Sequence, residues 1–226
     1  MRVIRIGLLG VLVTVAWGCG SEQPEATVDV TALLGSSAAA MVEVESASFE
    51  MRRTGAEVTV SGMVFDGAVG EYAAPDSARA LLRVRAGDLA AELGTISIAD
   101  RTWLTNPLTG RWEELEPGTG FNPAMIFDAE IGWRPLLTDD LSDAEYLGRS
   151  GGAHRVRGTV AGDRIAVLTA GIAAARPVVV DMEIDSDTGR LRRLHFDTEG
   201  DAGTSSWVIE LSGYGEPVAI DPPAAG

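Results

Sequence analysis

Histidine and cysteine, two of the residue types most often used in acid–base, nucleophilic and metal chemistry, are scarce in this chain. His154 and His195 are its only histidines, and each lies in a predicted strand with polar neighbours, where a surface or rim position is expected. The run Gly148-Arg149-Ser150-Gly151-Gly152 has Gly-x-Ser-x-Gly spacing, but it precedes a predicted strand rather than a helix, so it does not read as a nucleophile elbow. No phosphate-binding glycine loop or HExxH motif is present. A zinc site would need both histidines and carboxylates to converge, and their spacing does not indicate this. We therefore expect no catalytic residue, no metal, no cofactor and no enzymatic activity.

The acidic residues also favour structural roles. The run Asp185-Ser-Asp187-Thr-Gly189 is similar to the start of a calcium loop, but it lacks the third acid and the glutamate at the twelfth position. Because it lies between two β-patterned segments, it predicts a hairpin turn. The adjacent pair Asp139-Asp140 would point apart on a strand, as would Glu113-Glu114, so both pairs are expected to face solvent.

The only cysteine, Cys19, follows a segment built like an export signal. Arg2 and Arg5 are basic, residues 6–17 are mostly apolar, and small residues precede the cysteine. The apolar run is too short to span a bilayer, which needs about 20 residues. The segment resembles the lipobox of bacterial lipoproteins, whose cysteine is acylated, although Ala16 stands where leucine is usual. A plain secretory signal with an incidental cysteine is the alternative.

Three divisions of the chain follow from this pattern. We expect residues 1–18 to be a lipoprotein signal peptide, and residues 19–28 to be a linker anchored through acylated (palmitate-bearing) Cys19. Residues 29–226 are then long enough for one domain with a real core. The expected location is the extracytoplasmic face of the cell membrane.

Charge limits the partners of this domain. The chain has a net charge of −15 and no lysine, which argues against nucleic acid and against electrostatic attraction to anionic lipid. Contact with a membrane must then come from the anchor or from apolar surface.

Helical signals are few. Asp29 or Thr31 is expected to cap a helix that runs to about Ala47, with apolar residues at three- and four-residue spacing. Asn122-Pro123 predicts the start of a short helix over residues 124–129. Residues 139–147 are compatible with a helical turn, and residues 162–175 with a helix or a helical turn.

Most of the rest alternates with a period of two, typical of half-buried strands. Residues 57–66 read as one strand with Val58, Val60 and Val64 on a single face. We count about nine or ten strands in two meanders. The expected fold class is therefore α+β, with one highly twisted antiparallel sheet that carries helices on one face.

Several strands are apolar on both faces, which favours an apolar cavity as well as an ordinary core. Filling of a core remains the alternative for each residue, because alternation decides which residues share a face and not which face is concave. The candidate cavity residues are Val58, Val60, Val64, Leu82, Ile96, Ile98, Met125, Ile126, Phe127, Val180 and Phe196.

The order of these elements resembles the LppX/LprG family of actinobacterial lipoproteins. The matching segments are residues 103–112, 122–127, 158–168, 177–180 and 214–220. The resemblance implies a LolA-like antiparallel half-barrel whose concave face holds helices and an apolar cavity for a lipid or glycolipid. It also implies a monomeric, membrane-anchored carrier that moves or presents lipid across the cell envelope, with a membrane lipid exporter as a candidate partner. One alternative is an anchored envelope module that binds a protein and transports no lipid. A further alternative is an exported hydrolase with an unfamiliar site.

Overall fold

A computed structural model describes residues 28–60, 62–117, 119–169, 171 and 176–224. The predicted signal peptide, Cys19 and all of the predicted linker except Val28 lie outside the described residues. No helix in these ranges is both long enough and apolar enough to cross a bilayer.

The described residues form one open antiparallel sheet of twelve strands. Its order is β7-β6-β5-β4-β3-β1-β12-β11-β10-β9-β8, and β2 pairs with β3 beside this path. The strands are β1 Ser46–Gly55, β2 Thr59–Val60, β3 Met63–Ala73, β4 Ser77–Ala86, β5 Leu89–Ile98, β6 Arg101–Thr105, β7 Trp112–Glu114, β8 Leu141–Ser150, β9 Ala153–Val160, β10 Val178–Asp185, β11 Leu191–Gly200 and β12 Gly203–Ser212. The expected fold class, an α+β protein with a single antiparallel sheet, is confirmed.

Short helices cover one face of the sheet. They are α1 Val30–Val42, a 3₁₀ helix Pro123–Phe127, α2 Trp133–Leu137 and α3 Gly162–Leu168. The Asp29 side chain caps α1 by accepting hydrogen bonds from the backbone N–H groups of Thr31 and Ala32, as the sequence predicts. The helix ends at Val42 rather than near Ala47, because β1 begins at Ser46 and pairs with strands on both sides.

Alternation assigns the two faces of the sheet. In β1, Ala47, Phe49 and Met51 are buried towards the helices, while Ser48 and Glu50 lie on the other side. We call the helix-bearing side the inner face and the opposite side the outer face. Cross-strand partners share a face, so the register of the ladders carries this assignment across the whole sheet.

Residues 57–66 do not form the single strand that their alternation predicts. Thr59–Val60 and Met63–Val64 pair with each other as a tight hairpin. Gly62 has φ of +80°, a conformation open to glycine at little cost, and it permits the reversal. Val60 therefore pairs with Met63, whereas Val64 pairs with Thr59 on the opposite face.

The second meander also differs in part from the expectation. Residues 141–150 form the edge strand β8, so the predicted helical turn there is wrong. The acidic side chains of this segment alternate outward along the strand, where solvent stabilises them. The predicted hairpin turn at Asp185 is confirmed: its Oδ1 accepts hydrogen bonds from the N–H groups of Asp187 and Thr188, and Gly189 has φ of +71°.

A buried guanidinium fastens the β2–β3 hairpin to β1. The Arg53 side chain is 3% exposed and lies 3.1 Å from Asp66 Oδ1. Its Nε donates to the Phe65 carbonyl and its Nη1 to the Ala56 carbonyl. Arg85 Nε reaches the other Asp66 oxygen at 2.6 Å. Two arginines thus share the Asp66 carboxylate at the base of the hairpin, and Arg53 also donates to backbone carbonyls there.

Replacing Arg53 with methionine should lower the free energy of unfolding by about 3 kcal/mol, because it leaves buried carbonyls and part of the Asp66 charge without a donor. Chemical denaturation would measure the loss. Arg52→Met is the matched control: this neighbouring side chain is 45% exposed, and its loss should cost at most about 1 kcal/mol. Equal losses in the two variants would contradict the role given to Arg53.

The same network predicts a dependence of stability on pH. The hydrogen bond from Arg85, aided by the charges of Arg85 and Arg53, holds the pKa of Asp66 below its ordinary value of 3.8. The folded state therefore binds the Asp66 proton more weakly than the unfolded chain does. The stabilisation is complete above pH 3.8 and is lost as the pH falls through the lowered pKa.

Denaturation of the wild type and of Asp66→Asn at a series of pH values would test this dependence. The wild type should exceed the variant in unfolding free energy by a constant amount above pH 3.8, and by less and less below it. A difference that does not change with pH would contradict the assignment.

Candidate functional site

The inner face and its helices enclose an apolar layer. The 3₁₀ helix packs against β3, β4 and β5, and α1 packs against α2. Asn122 Oδ1 accepts a hydrogen bond from the Ala124 N–H at 2.9 Å, and Pro123 opens the helix, as the sequence predicts. This cap turns Ile126 and Phe127 towards the sheet, where both are buried.

Phe127 lies at the centre of an aromatic cluster. Its ring stacks on Tyr72 with a centroid separation of 4.2 Å, and meets Trp133 edge-on at 6.4 Å. The Tyr72 hydroxyl donates to the Pro75 carbonyl at 3.0 Å. Burial, with smaller contributions from Asp76 and Asp128, raises the pKa of Tyr72 above its ordinary value, so the hydroxyl stays neutral. The cluster joins the 3₁₀ helix, α2 and β3.

A second aromatic row continues along the inner face. Trp207 lies between Phe65 and Phe196, with centroid separations of 6.0 and 6.1 Å. Its Nε1 donates to Thr198 Oγ1 at 2.9 Å, so this buried indole N–H is satisfied within the protein.

Trp133 differs from Trp207 in this respect. It is 2% exposed, and no hydrogen-bond acceptor for its Nε1 lies among the described residues. The Ser37 hydroxyl on α1, a residue with no exposed surface, has no partner in that part of the chain either. Buried polar groups are normally paired. The helix layer therefore contains a donor and a hydroxyl that the described residues leave without a hydrogen bond.

Five of the predicted cavity residues lie on the inner side of the molecule. Leu82 pairs with Ala68 on the inner face, and Val180 pairs with Phe196 in the other half of the sheet. Ile126 and Phe127 approach the same layer from the 3₁₀ helix. Val58 packs at its rim, while Val60 and Met125 are each 39% exposed.

Three predicted residues do not share this layer. Ile96 pairs with Arg79, Ile98 with Ser77, and Val64 with Arg85, all on the outer face. The inner positions of β5 belong instead to Leu93, Thr95 and Ser97. The physical reason is the register between β4 and β5. It places the apolar side of β4 and the more polar side of β5 together on the inner face.

Sequence reasoning missed two residues of the aromatic cluster. Trp133 lies in residues 131–137, whose uniformly apolar composition gives no helical or strand period. Tyr72 lies near the end of β3, and the hairpin that begins this strand is hidden in the continuous alternation of residues 57–66. The clearest available signal for Trp133 was the scarcity of tryptophan itself, because only five occur in the chain.

The histidines have ordinary polar partners. His154 Nδ1 lies 3.0 Å from the Tyr146 hydroxyl, and His195 Nε2 lies 3.0 Å from Ser206 Oγ. Both side chains are half-buried in strands. Within the described ranges, no three histidine, cysteine, aspartate or glutamate side chains are grouped so that they could hold a metal ion.

Solved structures of other proteins share this fold. LprF from Mycobacterium bovis is 15% identical with a TM-score of 0.67, and the match covers 87% of this chain and 97% of that one. The lipoprotein LppX from Mycobacterium tuberculosis is 18% identical with a TM-score of 0.58, covering 85% and 98%. A LolA superfamily protein from Nitrosomonas europaea is much less similar, with 9% identity, a TM-score of 0.30, and coverage of 82% and 92%.

A comparison with curated proteins gave no match. The model of the LppX_LprAFG lipoprotein family, in contrast, matches residues 29–220, which is nearly all of the region after the predicted linker. With an open antiparallel sheet, helices on its inner face and a family match of this extent, the chain belongs to the LppX_LprAFG lipoprotein family.

Proposed function

We propose that this protein is a membrane-anchored lipoprotein that binds an acyl lipid in the apolar layer between the sheet and its helices. In this proposal Cys19 carries the anchor, and the domain carries or presents its lipid on the extracytoplasmic side of the cell membrane. Membership of a lipoprotein family supports the anchor, and the apolar composition of the inner layer supports the ligand class.

The N–H of Trp133, which has no acceptor among the described residues, is the observation that carries the ligand assignment. A buried donor without an acceptor costs about 1–3 kcal/mol, and an ester carbonyl of an acyl lipid would remove that cost. The hydroxyl of Ser37 is a second group able to bond to an ester or to a lipid hydroxyl. The acyl chain itself gains about 0.8 kcal/mol for each methylene that it buries.

The 3₁₀ helix is the element best suited to admit an acyl chain. It has five residues, and its hydrogen bonds from Met125 N to Asn122 O and from Asp128 N to Met125 O are long, at 3.3 and 3.2 Å. Few and long backbone bonds make an element inexpensive to displace. In the proposal, displacement of this helix opens the layer beside Phe127 and Trp133.

If the proposed function is correct, the protein should carry lipid when it is isolated from its own envelope. Native mass spectrometry and organic extraction of protein purified from its own envelope should reveal one or two acyl-bearing molecules per chain. A clean apo mass, under conditions that retain lipid on a known carrier, would contradict the proposal. That result would instead favour the anchored protein-interaction module.

Replacing Trp133 with phenylalanine should affect lipid affinity and protein stability differently. Trp133→Phe removes an N–H that has no partner in the described protein, which is stabilising, and leaves a small cavity, which is destabilising. The stability of the lipid-free form should therefore change by less than about 2 kcal/mol. Affinity for an acyl lipid should fall about tenfold, the size expected for one lost hydrogen bond. Thermal denaturation and lipid titration would measure the two effects.

Trp207→Phe is the matched control for this experiment. It removes the same volume and also breaks the hydrogen bond to Thr198, so it should lower stability by about 1 kcal/mol more than Trp133→Phe does, while lipid affinity is maintained. If Trp133→Phe leaves lipid affinity unchanged, the indole N–H does not contact the ligand. If both variants lose affinity equally, the effect comes from general packing.

A further inference from the structure

A groove of about 990 Å³ crosses the outer face, on the side of the sheet away from the helices. Its floor follows cross-strand partners. Gly94 pairs with Leu81, and Leu81 with Val69. Val69 pairs with Glu50, Glu50 with Glu210, and Glu210 with Arg193. Six strands at about 4.8 Å spacing make this row about 24 Å long.

One end of the row is an aromatic platform. The indole of Trp112, on β7, packs directly on the backbone of Gly94. A Cβ atom at residue 94 would lie 2.6 Å from Trp112 Cη2, so only glycine leaves room for the indole at this position. Trp112 remains 37% exposed, and Leu81 beside it is 44% exposed. Ile96, in the next outward position of β5, also lines the groove. The side of the indole that faces the sheet therefore contacts Gly94, and its other side is exposed to solvent.

The rest of the row offers charges that are already paired. Arg52 joins Glu50 at 3.2 Å and Glu210 at 2.8 Å, and Arg83 lies 3.5 Å from Glu50. Arg193 lies 3.9 Å from Glu210. Beside the platform, Arg79 Nε donates to Glu71 at 2.6 Å. An arginine has five N–H donors, and a carboxylate accepts several hydrogen bonds, so each pair keeps unused capacity of both kinds.

These features select one class of ligand. A charged ligand would have to displace counter-ions that the protein already supplies. An acyl chain would leave most of its surface in water, because the groove is open and its apolar part is short. A neutral molecule with many hydroxyls meets neither difficulty, since each hydroxyl both accepts from arginine and donates to glutamate. The apolar C–H face of a sugar ring fits on an exposed indole.

We propose that the outer groove binds a neutral glycan, with one sugar ring on Trp112 and Leu81 and the following rings along the Glu50–Glu210–Arg193 row. The site lies on the opposite side of the sheet from the proposed lipid layer, and it needs no acyl chain. It would let the protein hold an envelope polysaccharide, or the glycan part of a larger amphiphile, independently of its lipid.

Acyl-free neutral oligosaccharides of glucose, mannose, galactose and arabinose are the probes for this site. Titration calorimetry with the full chain should give saturable binding to at least one of them. The affinity should be nearly the same in low and high salt, because no net charge is exchanged. Absence of binding to all four, or binding that disappears in high salt, would overturn the proposal.

Substitutions locate the binding. Trp112→Ala should weaken the glycan that binds best about tenfold, and Trp112→Phe should weaken it less, because a smaller aromatic platform remains. Leu89→Ala is the matched control for Leu81→Ala: Leu89 is 76% exposed at the β4–β5 turn, outside the groove. Leu81→Ala should weaken binding and Leu89→Ala should not. Unchanged affinity in the Trp112 and Leu81 variants would overturn the assignment.

Lipid loading distinguishes this proposal from the previous one. Trp112→Ala should retain the same lipid as the wild type, because the groove and the inner layer are on opposite faces. Loss of glycan binding with lipid retained supports the groove. Simultaneous loss of both ligands would mean that a single amphiphile spans the two faces, and it would overturn the independence of the sites.

Discussion

Pairing between β1 and β12 organises the whole molecule. It sets Phe49 opposite Leu211 and Met51 opposite Ile209 at the middle of the sheet, with β3 on one side and β11 on the other. On one side of this central pair, strands β3 to β7 follow in order and end at the edge strand β7. On the other side, strands β11 to β8 follow in order and end at the edge strand β8. Because directly paired residues share a face, the register of this one ladder decides which side chains of both meanders meet the helices.

The two faces separated in this way have different chemistry. Inside, aromatic rings meet in stacks and edge contacts. In the helix layer, Trp133 Nε1 and the Ser37 hydroxyl have no hydrogen-bond partner within the part of the chain that the structure describes. Outside, a short apolar platform joins a row of paired charges. A twisted open sheet can serve two ligands of different polarity in this manner, since each side chain of a strand belongs to one face only.

Local signals predicted much of the fold. The caps at Asp29 and Asn122, the turn at Asp185 and the alternation of β4 and β12 could all be read from neighbouring residues. Contacts between strands could not be predicted from neighbouring residues in this way. The hairpin at Gly62 divides a segment whose period of two looks continuous. Ile96 and Ile98 face outward because their partners on β4 are Arg79 and Ser77, a pairing that no single segment contains.

The central pair of strands also governs when the domain can fold. The hydroxyl of Ser46 donates to the carbonyl of Glu216, which is 170 residues further along the chain. A growing polypeptide therefore cannot close its middle before β12 has been made, however early β1 appears. Strands that are far apart in the sequence pair slowly, because the intervening chain loses conformational entropy before the stabilising contacts form. Until then Phe49, Met51 and Tyr72 are exposed to other chains, so nascent copies need protection from aggregation for the whole of synthesis.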